Sequence, residues 1–177
     1  MPKILIVDDE KAIRQTLKEI LSYEKYNVEE AKDGEEALSL LLKNEYDVVL
    51  CDIKMPKMDG MELLEKAHQN EVGSPFIMIS AHGTIETAIE ATKKGAYDFI
   101  QKPPDLNRLL ISIRNAIENR TLHNETRTLK QKLARKYEIV GDSPKIKFIH
   151  ELIEKVAPTE AKILITGPNG AGKELVA

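Results

Sequence analysis

Val48-Val49-Leu50-Cys51 is an apolar run that ends in a carboxylate, Asp52, before Pro56 and Asp59-Gly60 turn the chain. The pattern reads as a strand buried on both faces whose last residue opens into a loop. An ionised Asp at that point is costly without a cation, a donor or a metal, so Asp52 is a candidate reactive or metal-binding group. The pattern recurs where Lys3-Ile4-Leu5-Ile6-Val7 runs into Asp8-Asp9-Glu10, and where Pro75-Phe76-Ile77-Met78-Ile79 ends in Ser80. Lys102 follows a shorter stretch, Tyr97-Asp98-Phe99-Ile100. Brought together, three carboxylates raise one another's pKa unless a cation sits among them. Mg²⁺ meets that need through oxygen ligands: Asp8 or Asp9, Asp52 and the backbone carbonyl of Lys54 are the candidates, with waters and a phosphoryl oxygen completing the shell. With the Lys102 ammonium neutralising further charge, a carboxylate can attack a phosphoryl group in line and hold it as an acyl phosphate, and Ser80 would donate to the added oxygens.

The elements that must position these groups alternate along the chain. After the first strand, Ile13, Leu17, Ile20 and Leu21 fall on one helical face. Asn27–Ala31 is a weak second strand, and Asp33-Gly34-Glu35-Glu36 has the form of a capping box that starts the next helix. Asp59-Gly60-Met61-Glu62 repeats that signal after the Asp52 strand. Ile85, Ala88, Ile89 and Thr92 mark a fourth helix that Gly95 ends, and a last helix starts near Asp105 with Leu106, Leu109, Leu110, Ile113 and Ile117 on one face. Five alternations predict an α/β domain, a doubly wound five-stranded parallel sheet with helices on both sides. In such a sheet the strand C-termini share one edge, where ligands bind, so Asp8, Asp9, Asp52, Ser80 and Lys102 should converge there.

These residues carry a strong resemblance to the receiver domain of two-component response regulators, the flavodoxin- or CheY-like fold. The matching pieces are Val7-Asp8-Asp9-Glu10, Asp52-Ile53-Lys54-Met55-Pro56-Lys57-Met58-Asp59-Gly60, Ser80-Ala81 and Gly95-Ala96-Tyr97-Asp98-Phe99-Ile100-Gln101-Lys102-Pro103, in the family's order over roughly residues 3–120. The resemblance implies that Asp52 is the phosphoacceptor for a sensor histidine kinase, Asp8 and Asp9 the acidic pair for Mg²⁺, and Lys102 the family's lysine. It also makes Ser80 and Phe99 the switch pair, whose movement remodels the surface near the fourth helix and fifth strand. Pro104 departs from the family, which more often has Phe there.

Taken singly, each residue has a plainer role: Asp at a strand end as a helix cap, Lys102 as a solvated charge, Ser80 as a loop hydroxyl and Phe99 as a core aromatic. The joint pattern outweighs those readings. A phosphohydrolase of the haloacid-dehalogenase type would need a second Asp two residues after the nucleophile, and Lys54 occupies that position. His68, His82, His123 and His150 lack metal-ligand spacing. His82 and Lys54, each two residues beyond a site residue, are expected to overhang the phosphoryl group and tune its lifetime.

From Asn115 to Tyr137 there is no Gly or Pro, and Leu122, Leu129 and Leu133 keep roughly coiled-coil spacing, which predicts that the last helix continues into a helical linker. The linker is either simply exposed or the seam of a homodimer. Ser143-Pro144 should restart a helix as N-cap and first residue, with Ile146, Ile149, Ile153 and Val156 on one face. Lys162-Ile163-Leu164-Ile165-Thr166 reads as a strand entering Gly167-Pro168-Asn169-Gly170-Ala171-Gly172-Lys173-Glu174, a G-x-x-x-x-G-K phosphate loop, with a helix after it. Glu174 replaces the usual Mg²⁺-binding hydroxyl. That Glu, with Ile139-Val140-Gly141-Asp142-Ser143-Pro144, resembles the start of the AAA+ ATPase domain of NtrC-type activators of sigma-54 RNA polymerase, although Pro168, Asn169 and Ala171 depart from the family's loop. Gly167, Asn169, Gly170, Gly172, Lys173 and Glu174 are the nucleotide-binding candidates by that resemblance. Because the sequence ends at Ala177, before the parts that hydrolyse ATP and contact polymerase or DNA, ATP is implied only for the full-length family and no ATPase activity is expected. The organisation read is 1–119 receiver, 120–138 linker and 139–177 the beginning of an AAA+ domain.

Composition fits this division. The net charge of −3 conceals 15 Lys and Arg against 22 Asp and Glu in residues 1–119, and 11 against 7 in residues 120–177, too mild a basic excess to argue nucleic-acid binding. One cysteine, Cys51, permits no intrachain disulfide and reads as a small buried hydrophobe in a cytoplasmic protein. Neither a secretion leader nor a membrane span is read.

Overall fold

In the computed structural model the described residues are 1–81, 84–136, 139, 141–159 and 162–176, with the side chains of 123–136 and Glu174 outside the description. The chain divides into two compact units, Met1–Asn124 and Glu125–Ala177.

Strand and helix alternate in the order β1 (Lys3–Val7), α1 (Lys11–Tyr23), β2 (Asn27–Ala31), α2 (Gly34–Leu41), β3 (Val48–Asp52), α3 (Gly60–Gln69), β4 (Phe76–Ser80), α4 (Ile85–Lys93), β5 (Asp98–Gln101) and α5 (Leu106–Lys136), all within the first unit except the end of α5, which belongs to the second. The sheet is parallel throughout, in the order β2-β1-β3-β4-β5. The chain moves outward in one direction through β2 and in the other through β3 to β5, so the topological switch lies between β1 and β3. Strand alternation splits the core in two. Leu5, Val7, Val49, Cys51, Phe76 and Met78 pack toward α2, α3 and α4, while Ile4, Ile6, Val48, Leu50, Ile77 and Ile79 pack toward α1 and α5. Every residue of β3 and β4 is buried, as an interior parallel strand requires.

The caps follow the sequence signals. Asp33 accepts from the Glu36 amide at 2.9 Å, Asp59 from the Glu62 amide at 2.8 Å and Asp105 from the Arg108 amide at 2.8 Å. At α2 the Glu36 carboxylate reaches back to the amide of Lys32 instead of the cap residue itself. β4 and β5 each lie one residue later than the apolar runs suggest, because pairing of Ser80 with Gln101 extends both ladders.

One helix differs from its pattern. In α4 the face expected from Ile85 and Ile89 is turned to solvent, the two side chains being 77% and 50% exposed, and Ala91 is buried instead. A small side chain lets the helix approach the sheet, and the larger apolar residues are left outside.

The helix α5 runs for 31 residues, to Lys136, and residues 137 and 138 of the expected linker lie outside the described residues. Leu122 is exposed, whereas the side chains of Leu129 and Leu133 lie outside the described residues. In the second unit, Ser143 caps α6 (Pro144–Val156) through the Ile146 amide, with Pro144 in the first turn. The strand expected at Lys162–Thr166 does not form; these residues are irregular and Ile163 and Leu164 are exposed. An isolated apolar segment has no ladder to satisfy its amides, and a strand exists only with a partner. The helix expected after the glycine-rich loop is a single 3₁₀ turn, Lys173–Leu175. Among the described residues no helix is long and apolar enough to cross a membrane.

Candidate functional site

The sheet edge at the switch point gathers the groups expected there. Asp8 directly follows β1, Asp52 is the last residue of β3, Ser80 the last of β4, and Lys102 the first residue after β5. The Lys102 ammonium donates to Asp8 Oδ2 and to Asp52 Oδ2, each at 2.7 Å. The three side chains are 9%, 3% and 8% exposed. The remaining oxygens are oriented by the backbone: the Glu10 amide donates to Asp8 Oδ1 at 2.9 Å, and the Lys54 amide approaches Asp52 Oδ1 at 3.4 Å. Asp9 is exposed, yet a carboxylate oxygen from each of Asp8, Asp9 and Asp52 lies within 4.8 Å of the others.

Burial pushes the Asp52 carboxyl up, and Asp8 adds to the rise against the opposing pull of Lys102. Burial alone would lower Lys102, but its bonds to Asp52 and Asp8 leave it raised above the ordinary lysine value. One ammonium among three carboxylates leaves the cluster net negative. The donor set is all oxygen, two of the acids are buried, and the residues therefore fit a small hard dication better than a soft metal.

Ser80 is buried at the same edge, where its carbonyl accepts from the Lys102 amide at 2.8 Å. Phe99, in β5, is half-buried against the core on the α2–α4 side, and its carbonyl accepts from Arg108 at 3.0 Å. Lys54 is exposed in the loop after β3, and His82 lies outside the described residues. His68 and His150 are exposed. Cys51 is fully buried, with burial pushing its thiol well up, as a core hydrophobe would be.

Two contributors were not legible beforehand. Arg14 of α1 donates to the Asp8 carbonyl at 2.7 Å, and Lys57 bridges to Asp33 at the head of α2. Neither carries a sequence signal, since both depend on which helix end meets which loop.

The glycine-rich loop of the second unit is described apart from the Glu174 side chain. Gly170 and Gly172 take positive φ, 76° and 73°. Lys173 folds back to donate to the carbonyls of Gly167 at 3.0 Å and Pro168 at 2.7 Å, and Asn169 lies in the turn.

Residues 4–114 match the response regulator receiver domain. The chain belongs to the response regulator receiver family. Residues 139–177 of this receiver-bearing chain match the sigma-54 interaction domain, the pairing found in NtrC-type sigma-54 activators. It is 41% identical over 176 residues to the nitrogen assimilation regulatory protein NtrX of Azorhizobium caulinodans, covering 98% of this chain and 38% of that protein. To the regulatory protein AtoC of Escherichia coli it is 36% identical, covering 99% of this chain and 39% of that one. The chain thus spans about two fifths of the curated relatives it matches. Among solved structures it is similar to NtrX from Brucella abortus in complex with ADP, at 40% identity and TM-score 0.69 over 99% of this chain and 40% of that one. A CheY-like receiver domain from Methanospirillum hungatei matches 70% of this chain and 98% of its own length, with 36% identity and TM-score 0.66.

Proposed function

We propose that the receiver accepts a phosphoryl group on Asp52 from the phosphohistidine of a sensor histidine kinase. An Asp52 carboxylate oxygen forms the bond to phosphorus as the P–N bond breaks, and the electron pair returns to the donor imidazole. The observation that carries this reading is the Lys102 ammonium held at 2.7 Å from both Asp8 and Asp52 at the switch point. Lys102 holds the acceptor in place and neutralises charge as the phosphoryl oxygens arrive. Asp8, Asp9, Asp52 and the Lys54 carbonyl would hold Mg²⁺, which when bound neutralises phosphoryl charge. Ser80 donates to the added oxygens and Phe99 follows it, altering the surface around α4 and β5.

In this reading residues 1–119 are the receiver, 120–138 the helical linker and 139–177 the start of an AAA+ domain. Phosphorylation controls that domain in the longer protein, which binds ATP through Gly167, Asn169, Gly170, Gly172, Lys173 and Glu174 and activates sigma-54-dependent transcription. The exposed Ile85 and Ile89 of α4 support a homodimer across the α4–β5 face, with α5 and the linker as the other candidate seams. The protein works in the cytoplasm, where a kinase and polymerase are both accessible, and the chain acts as phosphoacceptor rather than as a turnover enzyme. Incubation with acetyl phosphate and Mg²⁺ should add one phosphoryl group by intact mass, and Asp52→Asn should add none. Equal modification of both proteins would exclude the proposal, and steady turnover of p-nitrophenyl phosphate would favour a hydrolase instead.

A further inference from the structure

The loop leading from Asp52 to the head of α3 contains a non-glycine residue with positive φ, Lys57 at 68°. The Met58 amide donates across it to the Pro56 carbonyl at 2.9 Å, forming a three-residue γ-turn. A residue with a Cβ is unfavourable there and persists only where its surroundings over-determine it.

The surroundings come from α2. Lys57 Nζ donates to Asp33 Oδ2 at 2.5 Å and lies 3.7 Å from Glu35. Asp33 is buried, and its other oxygen caps α2 through the Glu36 amide at 2.9 Å. The bond to Lys57 is the largest influence holding the Asp33 carboxyl below the usual range. The next residue, Met58, is buried against Gly34, where an added Cβ would come within 2.6 Å of the Met58 carbonyl oxygen. Two successive loop residues are therefore gripped by the first turn of a helix that supplies nothing else to the site. At the loop's ends the Gly60 amide donates to the Ile53 carbonyl at 2.9 Å and the Lys54 amide faces Asp52. The short arc that carries Lys54 thus runs between the tied start of the loop and the turn at Lys57.

We propose that the Lys57–Asp33 ion pair holds this loop in its left-handed turn and thereby orients the Lys54 carbonyl, making Lys57 a positioning residue for the divalent cation beside Asp52. The inference rests on the reading of Asp8, Asp9, Asp52 and Lys54 as a Mg²⁺ site. Outer groups that orient a ligand typically change metal affinity by about 10–100-fold, and a partly exposed ion pair acts at or below the bottom of that range.

Calorimetric titration of the unphosphorylated protein with MgCl₂ tests it. Lys57→Ala should weaken Mg²⁺ binding about three- to ten-fold, and Lys57→Arg should restore it to within about two-fold. Lys57→Gly should recover most of the loss, because glycine takes positive φ without the clasp. Asp33→Asn, which keeps a capping oxygen and removes the charge, should weaken binding in step with Lys57→Ala, and the double variant should be no weaker than either alone. In acetyl phosphate reactions the Mg²⁺ concentration for half-maximal labelling should rise while the rate at saturating Mg²⁺ returns to that of the parent. Thermal unfolding without metal identifies any variant that fails to fold, and the remaining variants still decide the matter. Unchanged Mg²⁺ affinity in Lys57→Ala, or Lys57→Arg as weak as alanine, would overturn the clasp alone. A parent that does not bind Mg²⁺ would overturn the metal-site reading along with it.

Discussion

Lys102 Nζ lies 2.7 Å from Asp52 Oδ2, a pair 50 residues apart in sequence and nearly closed off from solvent. The same ammonium is 2.7 Å from Asp8 Oδ2, so one cation compensates two buried carboxylates. Removing it should leave both uncompensated. Lys102→Met is expected to lower stability by about 3–5 kcal/mol in denaturant unfolding without divalent cation. Added Mg²⁺ should return part of that loss, and no return would argue against a cation beside these acids.

Gly60 begins α3 directly against the end of β3. A Cβ at Gly60 would overlap the carbonyl oxygen of Asp52 and crowd Cys51 Sγ. Backbone cannot yield as a flexible side chain can, so Gly60→Ala should destabilise by roughly 1–3 kcal/mol. It should also slow labelling of Asp52 by acetyl phosphate, since the strand end must move; labelling at the parent rate would contradict this.

Glu29 gives a pH dependence away from the site. Its carboxylate accepts from Lys3 and from Tyr46, and these bonds hold its pKa below the ordinary 4.5. A depressed carboxyl stabilises the fold fully above that ordinary value, and the contribution is lost as pH falls through the folded value. Urea unfolding from pH 6 to pH 3 should show a decline that is shallower in Glu29→Gln.

Tyr46 is fully buried and donates its hydroxyl to Glu29 at 2.7 Å. Tyr46→Phe removes the donor while keeping the ring, and should cost about 1–3 kcal/mol because the hydrogen bond is to a charged group. The check is the denaturation midpoint at neutral pH, with Glu29→Gln in the same background showing a smaller effect.

The solvent-facing side chains of α4 test the dimer reading. Ile85→Lys with Ile89→Lys should leave labelling of Asp52 by acetyl phosphate intact and prevent any increase in mass that beryllofluoride induces in sedimentation. Both positions are exposed, so stability should change by no more than about 0.5 kcal/mol.

Strand and helix order, the parallel sheet and the edge shared by Asp8, Asp52, Ser80 and Lys102 followed from the sequence, because apolar runs of strand length alternate with helical spacing and a parallel sheet puts all strand C-termini on one side. The capping roles of Asp33 and Asp59 were equally local, since each bonds an amide three residues on. Tertiary structure decided the rest. It turned Ile85 and Ile89 outward because Ala91 lets α4 approach the sheet, a choice that periodicity does not contain. It left Lys162–Thr166 irregular because a strand needs a neighbour. It brought Lys102 between two acids, Arg14 onto the Asp8 carbonyl and Lys57 onto Asp33, since ion pairs between distant segments depend on how helix ends and loops meet in space.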